Sequence, residues 1–175
     1  MKKIITLTLI SVLAAVSLTS FSSCSAERDD TASAKTMYDK VMALLSFSPD
    51  EEVYYSAASE AWNLFNEDVL IGKYGDIIDF PEPDTFDDYA AYYSTIPCGP
   101  ELGIFRMKTE EQAEKMKLYI DDRMAQILKN AVNYPSTDTT LIKNYTVTVD
   151  GVWVYYAATE NNSGFNKIVK NGLYH

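Results

Sequence analysis

The clearest pattern of apolar and polar positions lies in the second half of the chain. Between residues 113 and 131 apolar side chains recur every three or four positions, which predicts a long amphipathic helix. Thr109 and Gln112 have the spacing of a capping box, in which each side chain bonds the backbone N–H of the other. The helix must end by about Asn133, because the Tyr-Pro pair at 134–135 disfavours helical backbone.

Two hairpins are expected around this helix. Residues 145–149 alternate apolar and polar side chains, the Asp-Gly pair at 150–151 suits a tight turn, and residues 152–156 return. Residues 89–94 and 101–108 form the other predicted pair of strands, joined by a turn rich in proline and glycine. We therefore expect an α+β fold, in which an antiparallel four-stranded sheet of two hairpins packs one face against the long central helix.

The N-terminal part of the body is predicted to be helical. Apolar residues between 36 and 45 fall on one helical stripe. Residues 53–65 are ambiguous, since Val-Tyr-Tyr at 53–55 favours a strand while the following alanine-rich run favours a helix; the helix is preferred. A loop over 75–88 and a short final helix over 165–171 complete a single α+β domain spanning residues 35–175.

The first 23 residues read as a signal peptide. Lys2 and Lys3 precede an apolar run that ends near Val16, and small polar residues follow. The run is too short to span a bilayer, which needs about 20 residues. Cys24 follows Phe-Ser-Ser in the manner of a lipoprotein cleavage site, although ordinary cleavage after Ala26 is the alternative.

Lipidation would set the location of the protein. An acylated Cys24 carries two or more chains, enough for stable anchoring on the outer side of a membrane. Residues 24–34 are polar and are expected to act as a flexible tether. The predicted location is therefore extracytoplasmic, with the membrane reached through Cys24.

Composition excludes several chemistries. Cys98 is the one cysteine beyond Cys24, and the single histidine is His175, so histidine-based triads, cysteine–histidine pairs and histidine-rich or cysteine-rich metal sites are excluded. We expect no cofactor and no metal. Cys98 is interpreted as a small buried apolar residue, with a reactive thiol as the alternative.

The chain is strongly acidic after the leader. Without Lys2 and Lys3 it has 13 basic and 25 acidic side chains, and residues 24–88 alone hold 16 acids and four bases. Such a charge disfavours binding to nucleic acid. The acidic residues between Asp79 and Asp88 are interpreted as a solvated loop, with a cation site as the alternative.

The C-terminal pattern resembles a family of uncharacterised bacterial lipoproteins, those with domain of unknown function 4358. The resemblance rests on the strand ELGIFRMK at 101–108, the helix after Thr109, the Tyr-Pro pair at 134–135 and the GVWV segment at 151–154. It covers about residues 89–170. It implies a lipoprotein leader, a tether and one domain, and it brings no assigned activity or catalytic residue.

Three functional hypotheses follow. The favoured one is a non-catalytic binding or accessory module for an envelope protein or a glycan, with binding carried by exposed aromatic rings. The alternatives are a hydrolase of cell-envelope glycan, with Glu101 and either Asp87 or Asp88 as its carboxylates, and a surface inhibitor of another protein, which would require the loop at 96–100 to project from the fold. No catalytic residue is assigned under the first hypothesis. The candidate binding residues are Tyr92, Tyr93, Trp153 and Tyr155.

Overall fold

The computed structural model describes residues 27–45, 52–75 and 82–174, which form one antiparallel sheet with helices on both faces. The five strands stand in the order β1-β2-β3-β5-β4. The strands are β1 Glu52–Tyr55, β2 Phe86–Tyr93, β3 Glu101–Met107, β4 Thr146–Asp150 and β5 Trp153–Ala158. The helices are α1 Ala34–Leu44, α2 Glu67–Tyr74, α3 Glu110–Ala131, α4 Thr140–Lys143 and α5 Asn162–Leu173.

The α+β class and both predicted hairpins are confirmed. Strands β2 and β3 pair with each other, as do β4 and β5, and β3 also pairs with β5 to join the two hairpins. The expected four strands and single covering helix are corrected. A fifth strand, β1, pairs with β2 at the edge of the sheet, in a segment where the sequence pattern favours a helix.

The strand at 52–55 forms because tertiary pairing overrides the helical preference of the residues after it. Val53 lies opposite Tyr92 and Tyr54 lies opposite Ala91. A run of β-branched and aromatic side chains suits such a half-buried edge position. The alanine-rich continuation gives only a short 3₁₀ turn at Ala61–Asn63, and the next helix is α2.

Both faces of the sheet are covered, which makes the fold a three-layer sandwich. Phe105 and Met107 point into the core beneath α2 and α3, while Leu102 and Ile104 point into the core beneath α1 and α5. Along β3 only Arg106 is not fully buried. A strand that is buried on both faces usually has a nearly continuous run of apolar residues in its sequence, as β3 does.

The long helix α3 begins as the sequence predicts. The Thr109 hydroxyl accepts a hydrogen bond from the backbone N–H of Gln112 at 3.2 Å. The return bond of the capping box is not made, because Gln112 Oε1 is buried without a hydrogen-bond partner among the described residues. The buried stripe of α3 comprises Ala113, Met116, Tyr119, Ile120 and Met124.

Residues 28–33, which the polar composition assigns to the tether, pack against the domain. The Asp29 N–H donates to the Leu173 carbonyl at 2.7 Å, and Arg28 Nη1 donates to Asp150 Oδ1 at 3.1 Å. Cys24 and the predicted signal peptide lie outside the described residues. Across the ranges that are described, no helix combines the length and apolar character needed to cross a bilayer.

Candidate functional site

A cleft of about 260 Å³ lies where the loop between β2 and β3 meets the second half of α3. We call it the β2–β3 cleft. Its polar lining comes from Ser94, Thr95, Asn130 and Thr137, and its apolar lining includes Ile96, Ile127, Ala131 and Ile142. A cavity with mostly apolar walls and a few convergent polar groups is the usual form of a binding site.

The floor of the cleft is a buried ion pair between Glu101 and Arg123. Arg123 Nε donates to Glu101 Oε1 at 2.9 Å, and Nη2 donates to Oε2 at 2.7 Å. Arg123 Nη1 donates to the Lys73 carbonyl at 2.6 Å, and the Tyr156 hydroxyl donates to Glu101 Oε1 at 3.3 Å. Such a bidentate contact fixes geometry as well as charge.

The Arg123 side chain stays charged in this position. Burial lowers its pKa, but the adjacent Glu101 carboxylate acts in the opposite direction and the net effect is a raised pKa. The exposed fractions of the two side chains are 14% for Arg123 and 5% for Glu101. The floor is therefore a neutralised pair, rigidly held and largely removed from solvent.

Aromatic rings surround the guanidinium. Arg123 lies over the ring of Tyr93 at 5.1 Å and over that of Tyr74 at 6.0 Å, and the two tyrosine hydroxyls are hydrogen-bonded at 2.7 Å. Burial raises the pKa of Tyr74 to about 12 and that of Tyr93 well above its ordinary value. Both phenols therefore remain neutral at physiological pH.

A second ion pair extends this cluster to the sheet edge. Lys73 Nζ lies 2.5 Å from Glu52 Oε2 and 4.6 Å from the centre of the Tyr93 ring. The hydrogen bond from Lys73, together with their charge attraction, holds the pKa of Glu52 below its usual value. The cluster thus ties α2 and β1 to the floor of the cleft.

Glu101 cannot act with Asp87 or Asp88 as the sequence-based hydrolase hypothesis requires. Asp88 lies opposite Arg106 in the sheet, five residues along β3 from Glu101, a separation of about 17 Å at about 3.4 Å per residue. Glycosidase carboxylates stand about 5–9.5 Å apart. Asp87 Oδ2 lies 3.0 Å from Arg106 Nε, so Asp87 is at the same end of β3 as Asp88. The predicted catalytic pair of Glu101 with Asp87 or Asp88 is therefore wrong.

Cys98 lies in the wall of the cleft. Its backbone has φ of 58°, a left-handed conformation uncommon for a residue other than glycine. The thiol is half-buried and packs against the core beneath α3. Burial, with the nearby negative charges of Asp138 and Glu101, raises the pKa of Cys98. The thiolate needed for nucleophilic reactivity is thereby disfavoured.

The four aromatic residues proposed from the sequence are buried rather than exposed. Tyr92, Trp153 and Tyr155 lie beneath α1 and α5, and Tyr93 lies beneath α2 and α3. Their exposed fractions run from 0% to 4%. The interpretation as an exposed aromatic surface is wrong: helices α1 and α5 cover a second face of the sheet, with Tyr92, Trp153 and Tyr155, and Tyr93 lies on the face that the long helix was expected to cover. Tyr93 still contributes to the site, through its contact with Arg123.

Part of the apolar surface that the structure exposes lies around the cleft, while Leu44, Trp62 and Leu118 are exposed outside its lining. Ile96 and Tyr134 line it and are each 64% exposed, and Val132, which follows the lining residue Ala131, is 79% exposed. Sequence reasoning missed these residues as a group. The signal in the sequence was the presence of large apolar residues where the chain leaves regular structure: Ile96 in the proline-rich loop, and Val132 and Tyr134 after α3. Side chains at such positions do not reach the core.

The acidic loop is only partly described. Asp79 and the other residues of 76–81 lie outside the described part of the structure. Asp88 accepts a hydrogen bond from the Ala34 N–H at 2.8 Å and another from the Ser56 hydroxyl. Within residues 27–45, 52–75 and 82–174, no group of three histidine, cysteine or acidic side chains could hold a metal ion.

No family model, curated protein or solved structure matches this chain. The resemblance to the lipoprotein family therefore stays a prediction, and functional assignment rests on the geometry of the cleft.

Proposed function

We propose that this protein is a lipid-anchored extracytoplasmic module, without catalytic activity, that binds an envelope protein at the β2–β3 cleft. One observation carries the proposal. The cleft has a rigid, neutralised ion pair as its floor, and the exposed apolar side chains of Ile96 and Tyr134 line it. Exposed apolar groups beside a shaped cavity are typical of protein-binding sites.

The chemistry of the cleft favours binding over catalysis. Both oxygens of Glu101 already accept hydrogen bonds, from Arg123 and from Tyr156. The raised pKa of Cys98 keeps the thiol protonated. Among the residues described, the lining of the cleft therefore presents neither a free general base nor an activated nucleophile.

A protein partner suits the lining better than a glycan. The cleft walls are mainly aliphatic, and Tyr134 supplies the one aromatic ring among the lining residues described. A large apolar side chain of a partner would enter between Ile127 and Ile142. The amide of Asn130 and the hydroxyl of Thr137 are then available to the partner's backbone groups.

The anchoring part of the proposal is supported by the sequence. The basic, apolar and small-polar order of residues 1–23, followed by Cys24, is that of a lipoprotein leader. The resemblance of residues 89–170 to the family of uncharacterised lipoproteins supports the same location.

Site-specific photo-crosslinking in native cells tests the binding site. A photo-reactive amino acid is placed at Tyr134, or at Leu118 as a control that has nearly the same exposure, 65% against 64%. We expect one discrete protein adduct from position 134 and none from position 118.

A variant with an obstructed cleft distinguishes specific binding in the cleft from nonspecific association. Ala131→Trp places a large ring at the cleft wall and should abolish the adduct at position 134 while the circular dichroism spectrum is retained. A glycan adduct would overturn the assignment of a protein partner. An adduct that persists in Ala131→Trp, or that is equal at position 118, would overturn the cleft as the site.

A further inference from the structure

The N-terminal segment at residues 28–30 is fixed to one end of the sheet. Arg28 pairs with Tyr174 in a β-bridge and donates from Nη1 to Asp150 Oδ1 at 3.1 Å. Tyr174 donates to the other Asp150 oxygen at 2.7 Å. Next in the chain, the Asp30 carbonyl accepts from Arg106 Nη1 at 2.8 Å. Backbone and side chains thus hold the segment together.

Strand register shows which end of the sheet this is. Arg106 at the end of β3 lies opposite Trp153, and Asp150 at the end of β4 is paired with that same residue. Glu101, at the floor of the β2–β3 cleft, lies at the other end of β3. The N-terminal attachment and the cleft are therefore at opposite ends of the sheet, about 17 Å apart along β3 at about 3.4 Å per residue.

The distance from the predicted lipid to this attachment is short. Three residues, 25–27, separate Cys24 from Arg28, and four residue steps span at most about 14 Å. A domain of about 150 residues has a radius of gyration of about 15 Å. A linker shorter than the domain's own radius restricts how far the domain can tilt or turn over.

We propose that the sheet end formed by Arg28, Asp150 and the C-terminus of α5 faces the membrane, and that the β2–β3 cleft faces away from it. The inference rests on the lipid anchor at Cys24 proposed above and adds the orientation of the binding site. The sheet end at Arg28 and Asp150, called the proximal end, contacts the lipid surface. The cleft, at the other end, faces proteins beyond the lipid headgroups.

Charge at the proximal end indicates how the membrane is contacted. Arg28 is paired with Asp30 at 2.5 Å and with Asp150, and Arg106 is paired with Asp87. Because these guanidinium groups are neutralised within the domain, they are not available to anionic lipid headgroups. In this proposal the acyl chains hold the protein on the bilayer and the attached segment at residues 28–30 sets the orientation, while Lys108 and Lys170 are exposed cations at this end of the sheet.

Two sites near the two ends of α5 allow the orientation to be measured. Glu160 and Asn171 are both exposed, and they lie at opposite ends of α5, about 16 Å apart at about 1.5 Å per residue. A single cysteine is introduced at either site in a Cys98→Ser background and labelled with a fluorophore. The full-length lipidated protein is reconstituted in phosphatidylcholine vesicles that contain a spin-labelled quencher lipid.

The fluorophore at Asn171→Cys should be quenched several-fold more than that at Glu160→Cys. Insertion of ten Gly and Ser residues after Ala26 should remove the difference without altering the domain. Arg28→Ala should reduce it, whereas Lys35→Ala, which breaks the surface pair with Asp39, should not.

Intact mass separates the two ways in which this can fail. Equal quenching at both sites in protein with an acylated Cys24 overturns the orientation and leaves the anchor in place. A mass without acyl chains overturns the anchor, and the orientation with it.

Discussion

Replacing Arg123 by methionine should destabilise the protein more than any single change at a surface ion pair. In the wild type only 5% of the Glu101 side chain is exposed, and the variant leaves its carboxylate with the Tyr156 hydroxyl, at 3.3 Å, as the one described hydrogen-bond donor that remains. Removing one partner of a buried ion pair costs about 3–5 kcal/mol. Loss of the bond to the Lys73 carbonyl and of the contact with Tyr93 places the expected value in the upper half of that range.

The same helix supplies a matched control. Lys117 pairs with Asp121 at 2.6 Å in an i,i+4 arrangement, but their side chains are 37% and 31% exposed. Such pairs contribute about 0.3–0.5 kcal/mol. Lys117→Met should therefore shift the free energy of unfolding by less than about 1 kcal/mol, although it also exchanges a cation on α3 for methionine.

A double variant tests the cause of the loss. Glu101→Leu with Arg123→Met removes both charges, and replacing a buried pair by apolar groups is often neutral or stabilising. We expect the double variant to be more stable than Arg123→Met alone. Urea unfolding followed by tryptophan fluorescence, to which the buried Trp153 and the exposed Trp62 both contribute, and by circular dichroism, gives all four free energies. Equal losses in Arg123→Met and Lys117→Met would show that burial of the Glu101–Arg123 pair does not determine the cost of breaking it.

Three further predictions concern the core and the helix cap. Gly103→Ala should cost about 1–3 kcal/mol, because a methyl group there would stand 2.6 Å from Cε1 of the fully buried Tyr156; thermal unfolding measures this. Burial raises the pKa of Tyr93 and Tyr156 above the value of about 10 of an unfolded chain. Their contribution to stability is therefore complete below about pH 10 and is lost as the pH rises toward the folded values; absorbance at alkaline pH should show these phenols ionising only on unfolding. Thr109→Ala should cost about 1 kcal/mol in urea unfolding through loss of the cap.

The elements predicted well from the sequence are those whose pattern is local and long. The alternating pattern at 145–156 predicted both strands of a hairpin. The capped apolar stripe predicted α3 to within a residue or two of its observed ends. β1 was misassigned because four residues carry too little periodicity to outweigh the alanine-rich run that follows. Its conformation is determined by pairing with β2.

The helix α2 was missed for a related reason. Only Leu70 and Tyr74 of its eight residues are buried, so no apolar stripe stands out. The usable signal was at its start, where the Asn66 side chain accepts from the Val69 N–H and two acidic residues occupy the first turn.

The ion pair at the candidate site could not be found by local reasoning. Glu101 and Arg123 are 22 residues apart, on a strand and a helix whose contact depends on the whole fold. Neither residue has a neighbouring motif that marks a partner. The misjudged aromatic residues follow from the same limit, since exposure of a strand face depends on whether distant helices α1 and α5 cover it.

Chemical crosslinking and capture from native cells, with intact mass measurement, test the lipid anchor and the binding cleft together when wild type, Cys24→Ala and Ala131→Trp are compared. We expect an acylated wild type in the membrane fraction with one reproducible protein partner. Cys24→Ala should leave the membrane, and Ala131→Trp should remain there without the partner. A wild-type mass that begins after Ala26, or a partner retained in full by Ala131→Trp, would contradict the account.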